Sequence, residues 1–302
     1  MSFTPNDVKK LRKKTGCGMM DCKKALQNSD GNIDLAVVFL RERGLASASK
    51  KSARAATEGM TFAGVYEKTG VILEVNSETD FVAANSDFKK FVINCAESIS
   101  KHDPKNLDDL SEIKLLNGIS ISEELNNKIA TMGENIKIRR FEKLDGLVSE
   151  YVHLNGKIAV LVKFSGDIAL KNNQDFILAS KDIAMQVAAS NPTYLDQSSV
   201  DAATLEKEKN ILKEQVLATG KPAIIVDKIV IGRMNKFYKE FCLLDQNFIK
   251  DNNISVSEYI KQASKTIGSD IKIEKFVRYE RGEGLEKKQD NFAKEVADMI
   301  KS

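Results

Sequence analysis

The chain has 302 residues, of which 42% are hydrophobic and 29% are charged, so it can bury a sizeable core and form two or more domains. Its 46 basic and 43 acidic side chains leave a net charge of +3, which disfavours a dedicated nucleic-acid-binding protein. No apolar run reaches membrane-spanning length and the first residues lack a signal-peptide core, so we expect a soluble, cytoplasmic protein that does not enter a membrane.

The cysteines and histidines do not form a metal-binding pattern. Cys17 and Cys22 are closely spaced, but no second pair of ligands follows them, and His102 and His153 are the only histidines. We therefore expect free thiols in a reducing compartment, with no bound metal and no cofactor.

Residues 1–45 are predicted to form three short helices. Asn6 or Asp7 can cap the first helix, and Gly44 suits the left-handed position that ends the third. Three short helices around one small core resemble a ubiquitin-associated (UBA-like) domain, which usually serves as a docking unit. Met19 and Met20 are candidates for an exposed contact surface, although core packing is favoured for at least one of them.

Residues 46–58 are small, polar and basic, and they are predicted to form a linker or a frayed helix. A solvated linker is favoured over a segment that contacts an acidic partner or RNA.

The next segment joins a predicted strand, 70–75, to a predicted helix whose apolar residues recur with helical spacing from Phe88. The loop between them, residues 76–85, carries Asp80 beside Phe81. A polar loop rarely presents a large aromatic side chain unless it packs locally or meets a partner. From composition alone, an arrangement in which Phe81 and Val82 fold back under the following helix remains an equal alternative.

An internal repeat predicts the architecture of the remaining core. The segment 133–141 is similar to 268–276, and in each half it follows a predicted hairpin and helix. We therefore predict an α+β protein with two similar subdomains of three antiparallel strands, formed by residues 59–146 and by residues 147–190 with 238–279. The second half has no counterpart of the loop 76–85, which favours a functional role for Asp80 and Phe81.

The second half has its own insertion, residues 191–237, predicted to form two antiparallel helices followed by a strand near Phe241. Apolar residues on both helices favour a coiled-coil protrusion that dimerises or contacts a partner, and the alternative is a hairpin that folds back on the core.

The last segment, 280–302, opens with Gly282 and Gly284, which are too few for a phosphate-binding loop and are predicted to act as a flexible hinge. A terminal amphipathic helix carrying Phe292 and Val296 is predicted to follow, and it can reach a partner or pack on its own core.

Three motifs together resemble the bacterial translation elongation factor Ts family: residues 15–26, the segment Thr79-Asp80-Phe81-Val82, and residues 282–287. The resemblance implies a guanine nucleotide exchange factor for elongation factor Tu that does not itself bind nucleotide. It implies that Thr79, Asp80, Phe81 and Val82 insert into the GTPase and help to displace its Mg²⁺.

The same resemblance points to His153 as a residue that presses toward the phosphate-loop side of the partner, although an ordinary turn histidine explains this position equally well. The further predicted partner contacts are Met19, Met20, Leu285, Phe292 and Val296. A homodimer through the helical hairpin remains an additional expectation.

The sequence disfavours two other classes of function. An RNA- or ribosome-associated accessory protein without exchange activity would use basic residues, namely Lys50, Lys51, Arg54, Arg139 and Arg140. It is disfavoured by the near-zero net charge. An enzyme is not expected, because the chain has no evident set of nucleophile, base and orienting residue.

Overall fold

The structure, a computed structural model, describes residues 3–219 and 222–286. Helices and small antiparallel sheets are mixed along the chain, which confirms the predicted α+β class. The α-helices are α1 (Pro5–Thr15), α2 (Met19–Asn28), α3 (Ile33–Lys51), α4 (Asp80–Ala84), α5 (Ser86–His102), α6 (Leu107–Glu112), α7 (Ile121–Met132), α8 (Gln174–Ser190), α9 (Ala202–Ala218), α10 (Ala223–Phe241) and α11 (Val256–Ile267).

The strands form three small sheets. They are β1 (Glu58–Tyr66), β2 (Thr69–Ser77), β3 (Ile136–Asp145), β4 (Leu147–His153), β5 (Ile158–Phe164), β6 (Asn247–Phe248), β7 (Asp251–Ser255) and β8 (Ile273–Glu280). Two sheets have three strands each, in the orders β1-β2-β3 and β4-β5-β8, and β6 pairs with β7. Each three-stranded sheet thus combines a hairpin with a strand that returns after helices, as the internal repeat predicts.

The first three helices enclose a small apolar core of their own. Helix α1 begins earlier than predicted, because Thr4 rather than Asn6 or Asp7 is its cap. The Thr4 hydroxyl accepts the Asp7 N–H at 3.3 Å, and the Asp7 carboxylate accepts the Thr4 N–H at 2.9 Å. The core residues are Val8, Leu11, Cys22, Ala25, Leu26, Ala36 and Leu40.

Helix α3 does not end at Gly44, as the sequence suggested, but continues to Lys51. Gly44 lies buried inside the helix, and a Cβ atom at this position would come within 3.3 Å of the Ala130 Cβ of α7. The glycine therefore allows two helices to approach closely instead of ending one of them. Residues 46–51 of the predicted linker 46–58 are consequently helical.

The second sheet is antiparallel throughout. Its central strand β5 pairs with β4 from Leu147↔Phe164 to His153↔Ile158, and with β8 on its other side. Helix α8 packs against this sheet and α11 packs against α8, over a core that includes Val160, Phe164 and Ile183.

The predicted helical hairpin is present as α9 and α10, which pack against each other. Val216, Val226 and Met234 are buried, whereas Ile211 and Ile231 are exposed. The predicted strand near Phe241 is wrong, because α10 runs through this residue and the chain re-enters a sheet only at β6. No helix among residues 3–219 and 222–286 combines the length and the apolar character that a membrane span requires.

By the packing of its Cα atoms the chain divides into two compact units. The first consists of the described residues of Met1–Met60, Glu74–Arg140 and Arg281–Ser302, and the second of Thr61–Leu73 and Phe141–Glu280. The strands β1, β2 and β3 each pass from one unit to the other along the sequence. The domain boundaries expected from the repeat stay a prediction.

Candidate functional site

The segment with the acidic and aromatic residues follows a strand that is buried along its whole length. Strand β2 ends at Ser77, and Thr79 then caps the one-turn helix α4, because its hydroxyl accepts the Val82 N–H at 3.4 Å. The sequence predicted a loop here, whereas the structure has a short capped helix. We call residues 79–82 the tip.

Some side chains of the tip are exposed to solvent and others are buried in the core. Val82 is buried, whereas Asp80 is exposed and Phe81 is 83% exposed. The alternative in which Phe81 folds back under the next helix is therefore wrong, although it holds for Val82. Leaving a phenylalanine in water forgoes about 2–3 kcal/mol of burial free energy, and this amount becomes available when a partner covers the ring.

Carboxylates hold the base of the tip. Glu134, just after α7, accepts the Thr79 N–H at 2.9 Å and the Thr79 hydroxyl at 2.6 Å. Conversely, the carboxylate of Glu78, which precedes Thr79, accepts the N–H of Asn135, which follows Glu134, at 2.6 Å. Two segments separated by more than 50 residues along the chain are thus tied together next to the tip.

A third carboxylate, that of Glu74, lies on β2 four residues before Glu78 in the sequence, and it is fully buried. Arg139 donates to both of its oxygens at 3.1 Å, Arg140 donates at 2.7 Å and the Gly282 N–H at 2.8 Å. Burial alone would raise the pKa of Glu74, but the hydrogen bonds from Gly282, Asn76 and Arg140 and the Arg140 charge outweigh it and hold the pKa below its usual 4.5.

The start of the last segment is anchored instead of acting as a hinge. The Gly282 N–H is bound to Glu74, and Arg139 donates to the Glu283 carbonyl at 2.6 Å. Gly282 has φ +71°, and a Cβ atom there would lie 2.4 Å from the Thr57 carbonyl oxygen. The predicted flexible hinge is therefore wrong for residues 281–285, which we call the anchored turn.

The two methionines lie at the start of α2. Met19 is 43% and Met20 is 62% exposed, so the expectation that at least one of them packs in the core is wrong. Their helix buries Cys22, Ala25 and Leu26 on its other face. Leu285 is partly buried at the end of the anchored turn, while Phe292 and Val296 lie outside the described residues.

His153 ends β4 and belongs to the second unit, whereas the tip and the methionines belong to the first. Its Nδ1 lies 2.9 Å from the Tyr151 hydroxyl, and the two rings stack with centroids 5.8 Å apart. Leu154 and Asn155 follow with positive φ angles, which turn the chain toward β5. The histidine is therefore held by its neighbour on the strand, not placed in a loose turn.

Sequence reasoning missed the acidic residues that hold the tip, namely Glu74, Glu78 and Glu134. The disfavoured alternative assigned basic residues to RNA, and most of them are engaged within the chain. Arg139 and Arg140 bind Glu74, Arg54 lies 3.5 Å from Glu78, and Lys51 donates to the Ile129 carbonyl. The internal repeat located the segments around Glu78 and Glu134, but it did not indicate that they hydrogen-bond to each other.

These features place the chain in the class of α+β proteins, with an acidic and aromatic tip that hydrogen bonds hold in place. The family model described as Elongation factor TS matches residues 78–283. Elongation factor Ts of Clostridium kluyveri is 48% identical over 305 residues, covering 99% of both chains. Elongation factor Ts of Clostridium novyi is 48% identical over 97% of both chains, and that of Clostridium perfringens is 46% identical over 98% of this chain and 99% of its own.

The chain belongs to the elongation factor Ts family. It is therefore a factor of protein biosynthesis that acts in translation elongation.

Proposed function

We propose that this chain is a guanine nucleotide exchange factor for elongation factor Tu, acting in the cytoplasm. In this proposal the tip enters the GTPase, where Asp80 and Phe81 help to displace Mg²⁺ and so promote the release of GDP. The observation that carries the proposal is the 83% exposure of Phe81 on a tip that the rest of the first unit holds in place.

The physical basis is thermodynamic linkage. A factor that binds the GDP-free GTPase more tightly than the GDP-bound form must weaken GDP binding by the same factor. A decisive shift requires about 5 kcal/mol of differential binding, and covering Phe81 supplies only about 2–3 kcal/mol of it. Loss of Mg²⁺ supplies another part, because the ion is the largest local positive charge beside the phosphates.

The rest of the interface comes from further surfaces. We assign Met19 and Met20 of the UBA-like N-terminal helices, and His153 with Leu285, Phe292 and Val296, to partner contacts. The helical hairpin, a coiled coil in this proposal, carries the exposed Ile211 and Ile231 and forms a homodimer contact. Sedimentation of the chain as a monomer at all concentrations would contradict the homodimer contact.

No bond is made or broken by the factor itself, so the proposal requires neither a cofactor nor a nucleotide site on this chain. The rival function, an RNA-associated accessory protein, depends on basic residues that mostly pair within the chain, as Arg139 and Arg140 do with Glu74. It predicts an RNA affinity that falls steeply with salt concentration.

The experiment is the release of fluorescently labelled GDP from purified elongation factor Tu, with and without the chain. We expect the chain to accelerate release at substoichiometric concentration, because an exchange factor turns over. Release at the spontaneous rate, together with salt-dependent RNA binding, would instead support the rival function.

A further inference from the structure

The strongest unassigned feature is the pair of crossed carboxylates at the base of the tip. Glu78 reaches from the end of β2 to the Asn135 N–H, and Glu134 reaches back to the N–H and hydroxyl of Thr79. We call these four residues the clasp. Each of the two segments supplies a carboxylate and donates a backbone N–H, so the contact is reciprocal.

The clasp is made of strong hydrogen bonds. Each has a carboxylate oxygen as acceptor, and the distances of 2.6 Å, 2.9 Å and 2.6 Å are as short as those of charge-assisted bonds, or shorter. Glu78 and Glu134 are partly shielded from solvent, which strengthens the attraction compared with an exposed pair.

Thr79 connects the clasp to the tip. Its Oγ1 donates to Glu134 and also accepts the Val82 N–H, so Glu134 fixes the rotamer of the residue that caps α4. A helix of five residues has little stability of its own, so its direction depends on the cap and on the burial of Val82. The direction of α4 in turn determines where the Phe81 side chain lies.

We propose that Glu134 is a positioning residue of the exchange reaction, which acts through Thr79 to hold Phe81 in its outward direction. This inference rests on the proposed function, because positioning matters only if the tip enters a partner. A tip that is already fixed loses less conformational freedom on insertion than a tip that must first be ordered.

The fold around Glu134 has other supports, so its loss affects mainly the tip. Asn135 donates through its side chain to the Arg54 carbonyl at 2.7 Å and to the Ser52 carbonyl at 3.4 Å. Ile136 begins β3 and is buried. The Asn135 hydrogen bonds and the burial of Ile136 do not involve the Glu134 side chain.

The test uses two substitutions and a matched control. Glu134→Ala removes both acceptors of Thr79. Glu134→Gln keeps the shape and can accept the Thr79 N–H through its carbonyl while its amide donates to Oγ1. The control, Glu124→Ala, removes a comparably shielded carboxylate of α7 that pairs with Lys128 at 2.9 Å and does not contact the tip.

We expect Glu134→Ala to lower the rate of GDP release at saturating exchange factor by about tenfold, with a much smaller change in the concentration that half-saturates the rate. Glu134→Gln should recover most of this loss, and Glu124→Ala should behave like the wild type. In a Phe81→Ala background, Glu134→Ala should add little, because both changes act on the same contact.

A second readout requires no partner. Hydrogen exchange at the Thr79 and Val82 amides should accelerate in Glu134→Ala, while the melting temperature falls by only a few degrees. If the wild type fails to accelerate GDP release, the proposed function fails, and amide exchange still decides whether Glu134 holds the tip.

Three results would overturn the positioning role. One is a release rate for Glu134→Ala equal to that of Glu124→Ala. Another is an undiminished effect of Glu134→Ala in the Phe81→Ala background, which would mean that it does not act through the ring. The third is unchanged amide exchange at Thr79.

Discussion

Glu74 is the only charged side chain among the buried residues of the described chain. A lone buried carboxylate is costly, and here Arg139, Arg140 and the Gly282 N–H offset that cost. Removing the negative charge would deprive two guanidinium groups of the carboxylate that they share. Glu74 therefore links the strand that leads to the tip with the anchored turn.

The lowered pKa of Glu74 predicts how stability depends on pH. Because the folded-state pKa lies below the usual 4.5, the contribution of Glu74 is complete above about pH 4.5 and is lost as the pH falls through the folded-state value. We expect Glu74→Gln to lower the free energy of unfolding by about 3 kcal/mol at pH 6. Urea unfolding between pH 6 and pH 3 should show a steeper loss for the wild type than for this variant.

The control for this titration is Glu42→Gln, which changes an exposed carboxylate of α3. Its pH profile should parallel that of the wild type. A Glu74→Gln profile that is also parallel to the wild type would contradict the account, because it would mean that Glu74 does not titrate with folding.

Single residues also show where sequence reasoning stops. Comparison of the two halves was sufficient to single out Phe81, because only one half has the extra segment. The acceptors Glu74 and Glu134 lie 65 and 55 positions from their partners Arg139 and Thr79, and nothing local in the sequence indicates such pairings. Neither carboxylate was therefore predicted from the sequence.

At the scale of elements, two glycines were misjudged for the same reason. Gly44 looked like the end of a helix, and Gly282 looked like a hinge, because both roles suit a residue without a side chain. In the structure Gly44 lets α3 approach Ala130, and Gly282 lets the anchored turn approach the Thr57 carbonyl. Tertiary packing, which the local pattern does not contain, decided both cases.

The anchored turn gives a direct test of this explanation. We expect Gly282→Ala to destabilise the chain more than Gly268→Ala, by at least about 1 kcal/mol in the free energy of unfolding. Both glycines have positive φ, +71° and +76°, but only at Gly282 would the new Cβ meet backbone, 2.4 Å from the Thr57 oxygen. Equal losses in urea unfolding would show that strain in φ, and not the close approach, explains the glycine.

At the scale of the whole molecule, the repeat predicted most of the architecture. Two three-stranded sheets and the inserted helical hairpin were expected and are present. The β6–β7 pair was not expected, because strands of two and five residues have no clear alternating pattern. The repeat also did not indicate that β1, β2 and β3 would each contribute to both compact units.

The central claim is that the exposed ring of Phe81 binds a partner protein. Its most direct test is the release of labelled GDP from elongation factor Tu, measured with the wild type, with Phe81→Ala and with the control Leu116→Ala. Leu116 is a 95% exposed apolar residue of the same unit. We expect Phe81→Ala to slow the accelerated release by about 30- to 150-fold, because about 2–3 kcal/mol of burial free energy is lost.

We expect Leu116→Ala to accelerate GDP release from elongation factor Tu like the wild type. Both variants should melt at nearly the wild-type temperature, since neither side chain supports the core. The contradicting result is a Phe81→Ala protein that is fully active, or one that is inactive only because it is unfolded.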